Sequence, residues 1–428
     1  MQLFVEYPIR NQFIGNDIVK FVMPRLLQIN ATLNSGSTGR IAEQIAIKAH
    51  ELGWDCYHAY GGRYIGKSQF EAFQVSSKLD NYIHAFEGEY LGLHGLGSYF
   101  STKQFIRRIQ EIKPDIIHLH NIHGYYLNYK VLFEYLAAVK TPVVWTLHDC
   151  WSFTGHCTHF DNAGCEKWKT ECGSCPLLLA QYKSRLVDRS RKNYLLKKNL
   201  YSRLSNVTIV PVSHWLGGLV SQSILKQFPI RVIQNGIDLN VFKPTKNSIR
   251  EKLGISDDKL LVLGVLGSGL AEKGKEEFIE LSQRDDLKVV LVGLTNDDTK
   301  GLPDDIIKLG RTSSQAELAE FYSASDVLLN PTYNDTFPTI NIEALACGTP
   351  VITYRTGGSP EILDNSTGIV VTKGDIKGLK SAIELIKRTG KKVYSQACRE
   401  RATKYFNKEE RFEDYMDLYN GILAESNL

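Results

Sequence analysis

The chain has 428 residues, of which 43% are hydrophobic, and a formal net charge of +4. A chain of this length is too long to fold around one ordinary hydrophobic core, so we expect two domains. The composition excludes a disordered chain, and no apolar run reaches the roughly 20 residues that a membrane-spanning helix needs. Basic residues outnumber acidic ones in residues 1–230 and the reverse holds afterwards, so only the first half is expected to meet an anionic surface.

Residues 1–22 differ in pattern from the rest of the chain. Residues 24–30 form the first apolar strand pattern, and Met23 stands directly before it. We therefore expect either that Met23 is the natural start or that residues 1–22 are a loosely held extension; the alternative is an extra edge element. The first residues lack the basic start, apolar core and cleavage site of a signal peptide, which predicts a cytoplasmic location.

From residue 25 onward, strand and helix patterns alternate. Strands are predicted at 25–30, 56–60, 115–120, 143–147 and 207–212. Helices are predicted between them at 40–52, 105–112, 131–138 and 184–204. This alternation predicts a parallel sheet covered by helices on both faces. Residues 150–176 are rich in Cys, Gly and aromatic residues without a clean period, so they are expected to form an insertion.

The alternating pattern then restarts. Strands are predicted at 231–234, 260–266, 289–292, 326–329 and 351–353. Helices are predicted at 275–282, 376–388 and 409–424. We predict an α/β protein with two doubly wound Rossmann-like domains, residues 23–205 and 206–408, and a closing helix in residues 409–428. Ligands bind at the carboxyl ends of strands in such sheets, so the two domains should face each other across one cleft.

Two acidic residues stand on either side of a predicted helix start. The strand at 326–329 leads into a Pro-rich turn that carries Asp335, and Glu343 lies about two turns further on, inside the helix. Free N–H groups and the helix dipole at the N-terminus favour an anion, and carboxylates bind sugar hydroxyls. The pair therefore predicts a site for a nucleotide diphosphate.

Two other loops come after predicted strands. The loop from Gly36 to Gly39 opens a helix, where glycines let the backbone approach a ligand; the alternative is a tight turn with nothing bound. Lys273 precedes a helix, where its ammonium could reach a diphosphate; the alternative is a solvated surface lysine. Neither loop carries the G-x-G-x-x-G fingerprint, which disfavours an NAD enzyme.

Histidines also stand at strand ends. His148 and Asp149 follow the strand at 143–147, where a polar pair is costly unless it is used or satisfied. The functional interpretation is a cleft histidine oriented toward substrate, and the alternative is a buried histidine bonded to backbone. His118 and His120 share one strand face, and His120 should lie nearer the cleft. His123 poses the same question.

Five of the eight cysteines fall within residues 150–175. Cys172 and Cys175 form a C-x-x-C, and Cys157 and Cys165 precede them. In a cytosolic protein such a cluster more often binds metal than forms disulfides, and four thiolates could close a structural zinc site. The spacing matches no strong zinc pattern, so reduced thiols and disulfides formed on handling are the alternatives.

Residues 183–203 are predicted to form a strongly basic helix with apolar residues between the charges. Its basic residues are Lys183, Arg185, Arg189, Arg191, Lys192, Lys197, Lys198 and Arg203. This pattern suits an anionic membrane surface, whereas charge alone favours the alternative, a solvated helix face. No nucleic-acid motif accompanies it, so no nucleic-acid partner is expected.

The second half resembles the family 4 glycosyltransferases of the GT-B fold. The matching segments stand in the family's order at 235–238, 272–274, 292–293, 335–343, 343–351 and 356–361. The first half resembles the same family at 36–39, 118–120 and 148–149. The segment 148–157 and its Cys-rich sequel are similar to a bacterial subgroup that builds capsular, colanic-acid-like or O-antigen polysaccharides.

The resemblance implies retaining transfer of a sugar from a UDP- or GDP-sugar, with no catalytic metal and no other cofactor required. It implies that Glu343 holds the donor ribose, that Asp335 contacts the donor sugar and that Lys273 neutralises the departing diphosphate. His148 would lie near the donor sugar. Further donor-binding positions are implied at Gly36, Gly39, Ser268, Phe337, Pro338 and Thr339.

Two positions depart from the family pattern. Asp335 stands where the family has glutamate, and Ser268 stands where it has a phosphate-binding arginine. The diphosphate charge would then depend on Lys273 and backbone dipoles, with Arg311 as a candidate substitute.

The expected acceptor is a growing, lipid-linked surface polysaccharide at the inner face of the cytoplasmic membrane, with the enzyme held there peripherally. The alternatives are a nucleotide-sugar epimerase, a phosphorylase-like enzyme of the same fold, and a non-catalytic scaffold of polysaccharide assembly.

Overall fold

A computed structural model describes residues 23–62, 64–266 and 270–426. The predicted extension at 1–22 and the predicted donor contact Ser268 lie outside the described residues.

The first half of the chain is built around a parallel sheet. Its strands are β1 (Arg25–Asn30), β2 (Asp55–Tyr60), β3 (Glu71–Gln74), β4 (Ile116–Leu119), β5 (Val143–Leu147) and β6 (Val207–Pro211). The helices of this region are α1 (Gly36–Glu51), α2 (Lys78–Leu91), α3 (Tyr99–Ile112), α4 (Tyr129–Ala138), α5 (Ser190–Tyr201) and α6 (His214–Val220). The strand order is β3-β2-β1-β4-β5-β6.

A second parallel sheet organises the second half. Its strands are β7 (Leu260–Val265), β8 (Leu287–Val292), β9 (Ile307–Leu309), β10 (Val327–Asn330), β11 (Val351–Tyr354) and β12 (Gly368–Val371). The helices are α7 (Ile249–Lys252), α8 (Lys275–Ser282), α9 (Gln315–Ala324), α10 (Thr339–Ala346), α11 (Ser359–Ile362), α12 (Ile376–Thr389), α13 (Lys391–Tyr405) and α14 (Lys408–Ser426). The strand order is β12-β11-β10-β7-β8-β9.

Both sheets have the doubly wound order in which the first strand lies beside the fourth. This confirms the predicted pair of Rossmann-like domains. The order reverses between β1 and β4 in the first sheet and between β7 and β10 in the second. Ligands bind outside the carboxyl ends of the strands at such a reversal. The loops after these four strands are therefore the parts of the fold that can build a site.

Three sequence predictions need correction. The second domain does not begin at residue 206, because β6 pairs with β5 along its length and completes the first sheet. Residues 231–234 form no strand; nearby, Ile209 and Ile230 make only an isolated bridge. The predicted helix at 184–204 is shorter, because α5 begins at Ser190, whose N–H donates to the Asp188 carboxylate at 2.8 Å.

The closing helix α14 returns to the first domain. Its residues Phe412, Tyr415 and Tyr419 are buried in one apolar cluster with Leu26 of β1 and Ile45 of α1. Burial of this apolar surface holds the last helix of the chain against the first helix. None of the helices within the described ranges is long and apolar enough to cross a bilayer.

Candidate functional site

A cleft of about 840 Å³ lies between the carboxyl edges of the two sheets. The first domain contributes the start of α1 and the loops after β4 and β5, and the second contributes the loops after β7, β9 and β10. Its lining includes Gly36, Arg40, Asn121, His148, Asp149, His159, Lys273, Arg311, Asp335, Phe337, Pro338, Thr339 and Glu343. The two domains therefore meet at one site, as the fold predicts.

Lys273 and Asp335 form an ion pair in this cleft. Lys273 Nζ lies 2.9 Å from Asp335 Oδ2. The pair is held by packing between the loops after β7 and β10, because Tyr333 N–H donates to the Glu272 carbonyl at 2.9 Å. Gly274 has a φ of +89°, and a Cβ there would stand 2.4 Å from Pro331 Cγ, so this close approach requires glycine.

Glu343 lies on α10 and is only 7% exposed. Its Oε2 accepts a hydrogen bond from the hydroxyl of Tyr322 on α9 at 2.8 Å. Burial raises the pKa of the Glu343 carboxyl, and the Tyr322 bond and the charge of Arg40 act in the opposite direction. Burying a carboxylate with few cations around it costs folding free energy. This cost favours a functional role for Glu343 at the cleft.

The start of α10 faces the same cleft. Pro338 precedes the helix, and Phe337, Pro338 and Thr339 line the cavity. The helix is fixed to its sheet by Asn330, at the end of β10, whose Nδ2 donates to Asn341 Oδ1 at 2.9 Å. The first N–H groups of a helix have no acceptor within it, so this end presents donors and a positive dipole to the cleft.

Thr336 joins the two domains at the floor of the cleft. Its hydroxyl donates a hydrogen bond of 2.6 Å to the backbone carbonyl of His148, which follows β5. On the other side, Gly358 N–H donates to the Thr336 carbonyl at 3.0 Å. Gly357 has a φ of +52°, and a Cβ there would stand 1.7 Å from the Asp335 carbonyl oxygen. The turn that carries Asp335 is therefore held from both sides.

His148 lies at the cleft wall and is partly exposed. Its Nε2 is 3.2 Å from Nδ1 of His120, and the two rings are stacked. Burial lowers the pKa of His148 to about 4, although the charge of Asp149 acts in the opposite direction. The imidazole is thus neutral at pH 7, and its side chain is held by another histidine rather than by backbone.

His120 is held in turn from within the sheet. Its Nε2 lies 2.9 Å from Gln28 Oε1, and its ring centroid is 4.1 Å from that of His118. This agrees with the expectation that the two histidines share a face with His120 nearer the cleft. His118 points away from the cleft and bonds to the Tyr419 hydroxyl of α14 at 2.6 Å and to Thr146 at 2.7 Å.

Asp149 and His123 form a second polar pair beside His148. His123 Nε2 lies 2.7 Å from Asp149 Oδ2, and its Nδ1 lies 2.5 Å from the Tyr182 hydroxyl. Burial alone would raise the pKa of Asp149, but the charge and hydrogen bond of His123 lower it to about 2. Asp149 therefore stays ionised and can orient a polar ligand on the first-domain side of the cleft.

The first and last glycines of the loop at 36–39 have different roles. Gly36 starts α1 with a φ of +67° and lines the cleft, with open space where a Cβ would stand. Gly39 is buried, and a Cβ there would stand 2.7 Å from Thr32 Oγ1. The structure therefore places Gly36 where a ligand could lie, whereas Gly39 allows α1 to pack closely on the preceding loop.

The Cys-rich insertion reaches the cleft, a placement that its sequence does not predict. His159 lines the cavity near Lys273 and Asp335. Burial lowers the pKa of His159, and the charges of Asp149 and Asp335 act in the opposite direction. Asp161, two residues on, makes an ion pair with Lys373 of the second domain. The insertion therefore connects the domains, a role that no periodic pattern in its sequence indicates.

The four cysteines proposed for zinc line one small cavity of about 20 Å³ in the insertion. A hydrogen bond with Cys157 lowers the pKa of Cys175 to about 7, whereas it raises that of Cys157. Within the described part of the chain, no group of three or more His, Cys, Asp or Glu side chains is arranged to hold a metal ion. Zinc at Cys157, Cys165, Cys172 and Cys175 stays a prediction.

The basic segment is not one exposed helical face. Residues 183–189 precede α5, and Lys197 within α5 is buried against the Trp151 ring, 3.3 Å from its centroid. Its Nζ donates to the Trp151 and Thr154 carbonyls at 2.5 and 3.0 Å. Burial lowers the pKa of Lys197 to about 7. The central lysine of the predicted membrane helix therefore supports the insertion.

Glu361 is another residue whose contact between domains the sequence did not indicate. Its two carboxylate oxygens accept hydrogen bonds from the N–H groups of Trp215 at 2.6 Å and His214 at 2.9 Å. Gln234 Nε2 adds a third bond at 3.0 Å. A carboxylate at a helix N-terminus is stabilised by the free N–H groups there, so α11 of the second domain caps α6 of the first.

Comparison with known families decides which class of enzyme this cleft belongs to. The model for Glycosyltransferase Family 4 matches residues 66–241, and that for Glycosyl transferases group 1 matches residues 245–405. The chain belongs to the family 4 glycosyltransferases. The resemblance noted in the sequence is confirmed, and the matches divide the chain between its two sheets.

Individual proteins agree with this assignment. The chain is 25% identical to the putative colanic acid biosynthesis glycosyl transferase WcaC of Escherichia coli K12, over 72% of this chain and 77% of that protein. Sucrose-phosphate synthase from Thermosynechococcus elongatus superposes with a TM-score of 0.70 at 18% identity, over 94% of this chain and 100% of that one. HepE of Anabaena, solved in complex with UDP-glucose, gives 0.63 at 16% identity, over 93% and 99%. These structures show the same GT-B fold.

Proposed function

We propose that this glycosyltransferase transfers a sugar, with retention of anomeric configuration, from a nucleotide-sugar to a growing surface-polysaccharide acceptor. The observation that carries the proposal is the convergence of Lys273, Asp335 and Glu343 on one cleft. A nucleotide-sugar has a ribose, a diphosphate and a sugar, and these three side chains offer matching chemistry. The relatives' names, colanic acid biosynthesis for WcaC and UDP-glucose for HepE, support the acceptor and donor classes.

We assign the ribose hydroxyls to Glu343. The carboxylate is anchored by Tyr322 at 2.8 Å, so one oxygen is fixed while the group faces the cavity. Hydroxyls of a ribose would replace the water that a carboxylate loses on burial, which compensates the cost of holding it there.

We assign the diphosphate to Lys273 and the start of α10. When the bond between the sugar C1 and the phosphate oxygen breaks, the leaving diphosphate gains negative charge. Lys273 and the N–H groups near Phe337–Thr339 line the cleft and can stabilise that charge. The diphosphate must then compete with Asp335 for Lys273, and this competition frees the Asp335 carboxylate to accept a hydroxyl of the donor sugar.

Two further cations line the cleft, Arg40 from α1 and Arg311 after β9. Both can add to the charge that faces a diphosphate, which supports a mechanism without a catalytic metal. The new bond forms between an acceptor oxygen and C1 on the face that the phosphate leaves, and the acceptor proton passes to the leaving phosphate. We assign a hydroxyl of the donor sugar to His148, whose imidazole is neutral at pH 7.

We further propose that the acceptor is lipid-linked and that the enzyme works at the inner face of the cytoplasmic membrane.

A thermal-shift panel with UDP, GDP and their sugars tests the donor class, because a ligand that binds only the folded state raises the melting temperature. We expect one nucleotide series to raise it and Glu343→Ala to abolish the shift. Transfer that stops on chelation of divalent ions would contradict the metal-independent mechanism, and sugar interconversion without acceptor would indicate an epimerase.

A further inference from the structure

Gln28 is a polar residue inside the first sheet whose contacts the proposed mechanism does not use. It lies on β1 and is only 1% exposed. Its amide Nε2 donates a hydrogen bond of 2.7 Å to the Ala42 carbonyl of α1, and its Oε1 lies 2.9 Å from His120 Nε2. A buried amide is costly unless both of its ends are bonded, and here each end has a partner held in the core.

The orientation of this amide follows from Ala42. A backbone carbonyl has no proton to give, so the NH2 group of Gln28 must face it and the amide oxygen must face His120. The flipped amide would bring two oxygens into contact at the Ala42 carbonyl, which would leave that contact repulsive. The direction of the hydrogen bond between Gln28 and His120 is therefore determined by the chemistry of the groups around it.

This direction fixes the tautomer of His120. An amide oxygen only accepts, so the proton between the two side chains belongs to His120 Nε2. Burial lowers the pKa of His120 well below its usual range, and the neighbouring imidazoles of His118 and His148 act in the same direction. The ring is thus neutral at pH 7 and carries one proton. Because that proton is on Nε2, the Nδ1 of His120 is a hydrogen-bond acceptor.

The tautomer of His148 follows in turn. His120 Nδ1 lies 3.2 Å from His148 Nε2, and since the former accepts, the latter must donate. Burial lowers the pKa of His148 to about 4, so this ring also carries one proton at pH 7. Its other nitrogen, Nδ1, is therefore unprotonated. No residue in the described part of the chain bonds to that nitrogen, and the side chain lines the cleft.

We infer that Gln28 is a positioning residue, which acts through His120 to make His148 present a hydrogen-bond acceptor, and not a donor, to the cleft. The group that faces His148 must then supply a proton. A free sugar hydroxyl does so, whereas a deoxygenated or O-alkylated position does not. This consequence for the substrate rests on the proposed function, in which His148 contacts the donor sugar. The tautomer does not rest on it.

Two histidines alone would not define this property. A pair of neutral imidazoles can share one hydrogen bond in either direction, and the two directions leave opposite groups exposed at the far ring. Gln28 removes this ambiguity, because only one direction also satisfies the amide oxygen. The His120 N–H donates to the Ile29 carbonyl at 2.9 Å, which holds His120 against the strand that carries Gln28. The acceptor is thus prepared before any ligand binds, as preorganised sites require.

Nitrogen-15 NMR of the full chain labelled at histidine tests the tautomer directly, at pH 7 and without ligand. The His148 signals are assigned by their absence in His148→Asn. We expect the shift of a protonated nitrogen at Nε2 and that of an unprotonated nitrogen at Nδ1. Gln28→Met keeps the length of the side chain without its amide, so both shifts should move to intermediate values. Gln74→Met, which removes an amide bonded to the Ser76 carbonyl at the end of β3, is the matched control and should leave them unchanged.

A proton on His148 Nδ1 in the unaltered chain would overturn the inference. Unchanged His148 shifts in a folded Gln28→Met variant would also overturn it, since a purely structural glutamine would lower stability without moving that proton. Should Gln28→Met fail to fold, the shifts of the unaltered chain decide the tautomer by themselves.

Kinetics with the nucleotide-sugar that the panel of UDP- and GDP-sugars selects, and with its monodeoxy analogues, tests the consequence for the substrate. We expect one deoxy position to lower kcat/KM about tenfold in the unaltered enzyme and in Gln74→Met, the scale of one hydrogen bond. This penalty should shrink in Gln28→Met, because His148 no longer presents a fixed acceptor. An equal penalty in Gln28→Met would contradict the role of Gln28 in recognition. Failure of every nucleotide-sugar to bind would contradict the proposed function, while the NMR result would still decide the tautomer.

Discussion

The hydroxyl of Thr336 in the second domain donates a 2.6 Å hydrogen bond to the main-chain carbonyl of His148 in the first. The bond joins the turn that carries Asp335 to the loop that carries the cleft histidine. It is therefore a direct link between the two halves of the site. The relative position of Asp335 and His148 should depend on it.

Thr336→Val removes that hydroxyl while it keeps the side-chain shape. We expect the KM for the donor to rise several-fold and the free energy of unfolding to fall by about 1 kcal/mol, the typical net contribution of one hydrogen bond. Steady-state kinetics and urea unfolding measure the two effects. Thr389→Val is the control, because Thr389 donates a similar bond to the Leu385 carbonyl at the end of α12, outside the cleft. Equal kinetic effects in both variants would contradict the link.

Lys273→Ala should reduce kcat by more than about tenfold, since one group that stabilises charge in the transition state typically contributes a few kcal/mol. Lys273→Arg should retain part of the activity because it keeps the charge. Lys275→Ala, two residues on, removes an ammonium that bonds to the Lys300 carbonyl and should leave kcat unchanged. A kcat for Lys273→Ala within twofold of the unaltered enzyme would show that another group carries the diphosphate charge.

Glu343→Gln should abolish donor binding without lowering stability at pH 7. Burial raises the pKa of Glu343, so the folded state binds this proton more tightly than the unfolded chain does. The ionised carboxylate therefore costs free energy above the raised pKa, and this cost vanishes below the unfolded value of about 4.3. Glutamine can still accept the Tyr322 bond, so the melting temperature should be equal or higher at pH 7. A clear fall in melting temperature would show that the carboxylate stabilises the fold.

Cys175 should react with iodoacetamide before Cys157 and Cys172 of the insertion. Its pKa is lowered to about 7 by the hydrogen bond with Cys157, whereas burial raises that of Cys172 to about 11. The reactive thiolate forms as the proton leaves, so the alkylation rate should rise through pH 7 and level off above it. Peptide mass spectrometry across pH identifies the site, and Cys175→Ser should remove the fast phase. Stoichiometric zinc by elemental analysis, with all four cysteines protected, would establish the zinc site instead.

The local sequence pattern was sufficient to predict those helices and strands that are apolar and have clear end signals. The predictions for β1, β5 and α8 match the observed ends, because buried apolar runs and helix signals define them within a few residues. The prediction failed for segments whose structure depends on contacts with other parts of the chain. Residues 231–234 run beside β6, where the Arg231 and Ile233 N–H groups donate to the Ile209 and Pro211 carbonyls. Pro211 has no N–H to return a bond, so the pairing stops at the single Ile209–Ile230 bridge.

The same distinction applies to the site. Sequence spacing alone predicted that Glu343 and Asp335 belong to one site, because a single turn and the helix that follows it carry both residues. It could not place Arg40 near Glu343 or His159 near Lys273, since each of these pairs spans both domains. Such contacts result from the docking of the two sheets, which no short stretch of sequence encodes.

The central claim is that Glu343 and Lys273 hold a nucleotide-sugar in the cleft for transfer. Radiolabelled-sugar transfer to an oligosaccharide acceptor, measured for the unaltered enzyme and Glu343→Ala at matched folding, tests it most directly. We expect the unaltered enzyme to transfer sugar from one nucleotide-sugar in the presence of chelator. The transfer rate of Glu343→Ala should be lower by at least about a hundredfold, the scale at which a single key contact acts in catalysis. Full activity in Glu343→Ala would contradict it.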